Sequence, residues 1–201
     1  MSRLIIIGAG GHGKVVAETA NLCGYHDVGF ADQTFPDRSM NGAWPIVCDM
    51  NLGASYVHLF LAIGNNLKRA ELWNELKMNS NPTLIHPKTT ISKYAKLADG
   101  VLAVAGVIVN PDTVIGCGTI LNTACTIDHD CVIGDFVHVS PGANIAGGCR
   151  IGDRSWIGIG ASIKQGVTIG CDVTVGAGAT VVNDIPNGLT VTGTPAKPLK
   201  E

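Results

Sequence analysis

The most reactive arrangement in the chain is an imidazole with an acid directly beside it. It is His129-Asp130, at the end of Asn122-Thr123-Ala124-Cys125-Thr126-Ile127-Asp128. An adjacent acid can orient the ring and raise its basicity, which deprotonating an amine or a hydroxyl near neutral pH requires. A second candidate is Gly8-x-Gly10-x-x-Gly13, which follows the short apolar run Leu4-Ile5-Ile6-Ile7, opens a helical pattern, and has Asp32 about twenty residues further on. Its physical content is a tight turn that brings backbone N–H groups and a helix N-terminus up to a phosphate. Any diphosphate suits such a loop, including that of a nucleotide-sugar, and a purely structural turn is the alternative. A nicotinamide dinucleotide fits poorly, because the residues before the repeat described below supply one mononucleotide-binding half and not two. His12 lies in the loop and could donate to a phosphate.

Other reactive side chains point to structure. Cys125, Cys131 and Cys149 share one phase of that repeat and Cys117 and Cys171 another, as packing would produce, which argues against a covalent acyl-cysteine. His129 and His138 are half a coil apart and have no third histidine in the repeat, so a zinc site, which needs three or four converging ligands, is not expected.

The element that must carry His129 is a repeat. Aliphatic residues recur every sixth position through Ile91, Leu97, Ala103, Val109, Ile115, Leu121, Ile127, Ile133, Val139, Ile145, Ile151, Ile157, Ile163, Ile169, Val175 and Val181. A second row of small or apolar residues follows four places later, with Val107, Cys125, Val137 and Ala161 among them. A period of six fits neither an α-helix nor an amphipathic strand. It fits a hexapeptide β-helix, each side turning one aliphatic inward. At about 4.8 Å per rung, residues 91–186 predict roughly five three-sided coils, a prism on the order of 25 Å tall. His129 and His138 fall in neither apolar row, so both are expected to face outward, to solvent or a neighbouring subunit.

Residues 1–85 have an alternating texture instead. Leu4–Ile7, Val28–Ala31 and Val57–Ile63 read as strands, with helical patterns running to Cys23 and from Leu67 to Met78. That predicts a small Rossmann-like parallel α/β sheet over 1–85, binding ligand at its strands' carboxyl ends, and a β-helix domain with its tail over 86–201.

The 201 residues carry a net charge of −2, which gives no electrostatic footprint for nucleic acid or an anionic membrane. The chain has no signal-like opening, its longest apolar stretch, Val101 to Val109, cannot span a bilayer, and its cysteines form no disulfide-like pattern. A soluble, cytoplasmic protein is expected.

With the glycine loop, Ala62-Ile63-Gly64-Asn65-Asn66, Leu84-Ile85-His86-Pro87, the Asn122–Asp130 stretch and Gly193-Thr194-Pro195-Ala196-Lys197 in order, the chain resembles the sugar O-/N-acyltransferases of the sialic acid O-acetyltransferase and UDP-N-acetylbacillosamine N-acetyltransferase type. The resemblance runs from Leu4 to Lys197. It implies a left-handed parallel β-helix, an exception to the right-handed crossover rule, assembled as a homotrimer with active sites between subunits. It implies His129 as general base supported by Asp130, with no metal, and acetyl-CoA held by His138, Gly147, Ile159 and Ala177. It also implies a nucleotide-sugar held by Gly10, Gly11, His12, Asp32, Gln33 and Gly64. The expected activity is N-acetylation of a nucleotide-linked amino sugar. The alternatives are O-acetylation of a sialic acid or other sugar hydroxyl, a non-catalytic hexapeptide scaffold or nucleotide-sugar sensor, and a nicotinamide oxidoreductase.

Overall fold

The structure is a computed structural model that describes residues 3–50, 58–78 and 81–199. Its first part is a five-stranded sheet of β1 (Leu4–Ile7), β2 (Val28–Ala31), β3 (Met40–Asn41), β4 (Trp44–Cys48) and β5 (His58–Leu61), ordered β3-β4-β2-β1-β5. The unbroken aliphatic run of β1 suits a central strand, and all four of its side chains are sealed from solvent. β1 pairs in parallel with both β2 and β5, so the ends of these three strands lie side by side. Helix α1 (Gly11–Leu22) follows β1, and α2 (Asn66–Glu75) follows β5.

Three details depart from the sequence expectation. The antiparallel β3–β4 edge was not legible, because a two-residue strand and a proline at 45 carry almost no periodic signal. Helix α2 ends at Glu75 rather than at Met78, and Lys77 takes a left-handed φ of 47° that an α-helix cannot continue through. The third strand is described over His58–Leu61, while Val57 lies outside the described residues.

The remainder is a parallel β-helix in which a two-residue strand recurs every sixth position. Face 1 stacks the strands that begin at Leu84, Leu102, Ile120, His138, Trp156, Thr174 and Thr190. Face 2 stacks those beginning at Thr90, Ile108, Thr126, Asn144, Ser162 and Thr180, and face 3 those beginning at Lys96, Val114, Val132, Arg150 and Thr168. In-register pairing begins at Leu84, which meets Leu102, one side of a coil before the aliphatic row starts. Ile91 and Leu97, in the first coil, are only partly buried against the core, and from Ala103 onward every residue of the row is buried. Each such Leu, Ile or Val contributes about 1.5–3 kcal/mol, and the column as a whole holds the prism. Cys125, Cys131 and Cys149 are fully buried in this core, and burial pushes the Cys125 thiol up to about 12.

What positions the site is the way the α/β unit sits on face 1. Leu84, Leu102, Val104 and Ile120 share one apolar cluster with Leu4, Ile6, Val16 and Phe30. The upper part of face 1 is therefore covered by the chain's own α/β unit, with helix α1 against the strand at Leu84. Among the described residues no helix is long and apolar enough to cross a membrane.

Candidate active site

His129 occupies the corner between faces 2 and 3, in the turn that follows the strand Thr126–Ile127. Its partner Asp130 adopts a left-handed φ of 59°, which a short polar side chain tolerates well. Asp130 Oδ2 lies 2.7 Å from His129 Nδ1. Pairing of Nδ1–H with that carboxylate leaves Nε2 as the free lone pair. Asp128 braces the turn from the other side: its Oδ1 accepts from the His129 backbone N–H at 2.9 Å and from Asn110 Nδ2 at 2.8 Å. The Asp130 hydrogen bond, and after it the Asp128 charge, hold the His129 pKa above its ordinary value, so the ring is a stronger base than a free histidine.

The ring has room because of a glycine one coil further on. A Cβ built on Gly147 would stand 2.7 Å from both Cε1 and Nε2 of His129. His129, Asp130, Gly147 and Gln165 line an open cleft of about 400 Å³, and the His129 side chain is 60% exposed. Next to it, Asn110, Thr126, Asn144 and Ser162 line a groove of about 450 Å³ along face 2.

His138 differs from the sequence expectation. It projects outward from face 1, yet it is only 8% exposed, because the α/β unit covers it. Its Nε2 lies 3.1 Å from Asn122 Nδ2, and its ring stacks on Trp156 with centroids 5.6 Å apart and planes 2° apart. Trp156 in turn donates to Ser140 Oγ at 2.7 Å. Ile159 and Ala177 lie at the corner between faces 1 and 2, where they share with Trp156 and Ser140 a cleft of about 200 Å³. The residues expected to hold acetyl-CoA are therefore not brought together in one chain. Gly147 stands with His129 at one edge of face 2, and Ile159 and Ala177 stand at the other.

The residues expected to hold a nucleotide-sugar do come together, at the carboxyl ends of β1, β2 and β5. Gly8 turns the chain with a φ of 104°. A Cβ at Gly13 would strike Phe30 Cε1 at 2.9 Å and the Gly8 carbonyl, so helix α1 can close on the strand only with glycine there. Gly10, Gly11 and Gly64 face open space, and Gly10 caps α1 with no side-chain acceptor. Asp32 receives the Ala9 N–H at 2.7 Å and Thr34 Oγ1 at 2.7 Å. Burial opposes ionisation of Asp32, but the Ala9 and Thr34 hydrogen bonds and nearby Arg38 keep its pKa below the usual carboxylate value. Gln33 is exposed beside it.

His12 leaves this loop toward the coils, with its ring centroid 6.3 Å from that of His138. His12 Nε2 is buried with no hydrogen-bond partner, and His138 is buried against the Gly64 backbone, which favours its protonated form. Burial first, and then the charge of Arg69, lower both imidazoles to about 4. The folded chain thus binds fewer protons here than an unfolded chain, whose histidines titrate near 6.5. The stability linked to these groups is complete above pH 6.5 and is lost as pH falls toward 4, about 3 kcal/mol for each ring. Denaturant melts of wild type and His12→Gln at pH 7 and pH 5 check this. The wild type should lose more stability between the two than the variant.

Sequence reasoning missed several parts of this machinery. Trp156 and Ser140 fix His138, Asn110 fixes Asp128, and Asn66 and Arg69 bind α2 to the coils. Asn66 stood in a motif noted above, but Arg69 reads as an ordinary helix-surface cation.

Comparison with known proteins gives the family. The family profile described as the PglD N-terminal domain matches residues 3–76, and that of the bacterial transferase hexapeptide (six repeats) matches residues 148–183. The acetyltransferase domain of PglB from Neisseria gonorrhoeae FA1090 superposes with a TM-score of 0.94 at 41% identity, covering 99% of this chain and 100% of that one. A mutant of perosamine N-acetyltransferase from Caulobacter crescentus, solved with CoA and GDP-perosamine, gives 0.93 at 38% identity over 100% of this chain and 98% of that one. UDP-N-acetylbacillosamine N-acetyltransferase of Bacillus subtilis (strain 168) is 34% identical over 113 residues, a match that spans 52% of this chain and 52% of that relative. The fold and these matches thus define a hexapeptide-repeat acyltransferase, an α/β unit followed by a left-handed parallel β-helix. The chain belongs to the sugar O-/N-acyltransferase family of the sialic acid O-acetyltransferase and UDP-N-acetylbacillosamine N-acetyltransferase type.

Proposed function

We propose that this protein transfers the acetyl group of acetyl-CoA to the amine of a nucleotide-linked amino sugar, with His129 as general base. The observation that carries this reading is the 2.7 Å contact of His129 Nδ1 with Asp130, which leaves Nε2 free in an open cleft. The sugar amine attacks the thioester carbonyl while Nε2 takes its proton. Collapse of the tetrahedral intermediate expels the CoA sulfur, which leaves as the thiol once protonated, and the sugar keeps an acetamide. Gly10, Gly11, His12, Asp32, Gln33 and Gly64 hold the nucleotide-sugar, the first of them offering backbone N–H groups to the diphosphate. The amine, rather than a hydroxyl, is favoured by the name of the Caulobacter relative, perosamine N-acetyltransferase, and acetyl-CoA as donor by a second structure of the Neisseria domain, which holds it.

The protein works as a cytoplasmic homotrimer. His129 with Gly147 and Ile159 with Ala177 flank opposite edges of face 2, so a neighbouring subunit laid against that face would join one chain's base to the next chain's CoA cleft. Release of free CoA thiol, measured over UDP-, GDP- and dTDP-linked 4-amino sugars and free sialic acid, tests the function. Release with a nucleotide-linked amine supports it, and release with sialic acid alone overturns it.

The raised pKa of His129 fixes the sign of a pH effect. The base is active when neutral, so kcat falls as pH drops through a value above 6.5. In Asp130→Asn the hydrogen bond to a charged acceptor is lost, the acid limb moves to lower pH, and the plateau falls with the weaker base. A pH–rate profile of the two proteins reads both changes.

A further inference from the structure

The glycine loop is held from behind by two side chains that the proposed function does not use. Arg38 lies on the connection from β2 to β3, and its guanidinium reaches back to the loop. Nη1 donates to the Ala9 carbonyl at 2.9 Å, Nη2 to Asn41 Oδ1 at 2.6 Å and Nε to the Met40 carbonyl at 2.9 Å. Asn41, on β3, is 0% exposed, and its Nδ2 donates to the Gly10 carbonyl at 3.1 Å. Asp32 meanwhile receives the Ala9 N–H at 2.7 Å. Side chains therefore fix the Ala9 N–H, the Ala9 carbonyl and the Gly10 carbonyl in succession. The Gly64 turn is held in a similar way. Arg69 Nη1 donates to the Ile63 carbonyl, while Nε and Nη2 reach the Gly118 and Phe136 carbonyls on the coils, each at 2.8 Å.

We propose that Arg38 and Asn41 are positioning residues for the diphosphate of the nucleotide-sugar: by holding the Ala9 and Gly10 carbonyls, they aim the Gly10 and Gly11 N–H groups at it. The identity of the ligand rests on the proposed function; the aim of the N–H groups rests on the peptide planes. Both peptide bonds are trans, so each carbonyl and the N–H that follows it point in opposite directions. An Ala9 carbonyl turned to Arg38 sends the Gly10 N–H the other way. A Gly10 carbonyl turned to Asn41 does the same for the Gly11 N–H. Both groups stand at the start of α1, where a helix leaves its N–H groups without acceptors, and Gly10 brings no capping side chain. The space before them is open, since a Cβ on Gly10 or Gly11 would meet nothing within 4 Å. Glycines allow these planes to rotate, and a rotated plane would present a carbonyl oxygen to an anion. The clamp removes that freedom before the ligand arrives, so less order has to be imposed on binding. Asn41 is suited to this and to little else: its amide is sealed from water, with its oxygen on Arg38 and its nitrogen on Gly10.

The test is calorimetric titration of UDP, GDP and dTDP into the full chain, with amide NMR of Gly10 and Gly11 and a parallel CoA titration. Wild type should bind at least one of the three diphosphates, with both glycine N–H signals moving downfield. Asn41→Leu keeps the volume and loses both hydrogen bonds. It should weaken that diphosphate about tenfold and shrink the two glycine shifts, with CoA affinity unchanged. Arg38→Met should act in the same direction, and because Arg38 is exposed its removal should leave the fold intact. Arg38→Lys should leave most of the loss in place, because a point charge cannot hold the Ala9, Met40 and Asn41 oxygens together. Wild-type diphosphate affinity in a folded Asn41→Leu protein overturns the inference, as does recovery of most of the loss in Arg38→Lys. Should Asn41→Leu not fold, the two Arg38 variants decide by the same readouts. A wild type that binds CoA but none of the three diphosphates overturns the nucleotide-sugar reading, and this inference with it.

Discussion

Replacing His129 by alanine is expected to lower kcat by about 10²–10⁴-fold, the usual worth of general-base catalysis. The fold should not notice, because the side chain is 60% exposed and outside both apolar rows. Affinity for CoA should also survive, since the removed atoms are proposed to act on the amine and not on the donor. Steady-state kcat, a CoA titration and a thermal melt on the same preparation separate these effects. Turnover near the wild-type value would remove His129 from the chemistry.

The second large effect is expected at Gly147. The missing Cβ is the space that the imidazole uses, with Nε2 and Cε1 each 2.7 Å from where a methyl would stand. Gly147→Ala must therefore displace the ring, and the ring is free to move because its far side faces the open cleft. Displacement costs little stability but takes Nε2 out of line with its substrate, and a shift of that size costs about 10²-fold in rate. The expected signature is a fall in kcat with an unchanged melting temperature and an acid limb close to that of wild type. A variant that instead loses CoA affinity with kcat intact would show that Gly147 serves the donor, as the resemblance implied, and not the base.

The parts of this fold that repeat could be read directly from the sequence. A side chain every sixth residue has no alternative to the core of a coil, so the prism and the outward placement of His129 follow from register alone. The glycine loop was equally legible, since Gly8, Gly13 and Asp32 each answer a local demand of the strand–turn–helix passage. His138 was only half legible. Its register gave the direction of the ring, but what covers it is the helix that carries His12 and the loop at Gly64, both far away in the chain. Arg69 was not legible at all, because a cation in an amphipathic helix looks the same whether its far side meets water or a row of carbonyls. Gly147 was singled out only through the resemblance, as a donor contact; among so many turn glycines, the one kept open for the His129 ring has no mark of its own.

The same separation of register from coverage bears on assembly. Face 2 carries Ile108, Thr126, Asn144 and Ser162 in an open groove, and the two proposed half-sites flank it. On the proposed reading, in which His129 is the base and Ile159 and Ala177 line the donor cleft, a neighbouring subunit laid on face 2 would bring the two together.

The most direct measurement is the mass and linkage of the product formed from acetyl-CoA and a nucleotide-linked 4-amino sugar. One added acetyl group, located on the sugar nitrogen and absent when His129→Ala replaces the wild type, is the expected result. An unmodified amino sugar, or an acetyl group found on a hydroxyl oxygen, would contradict it.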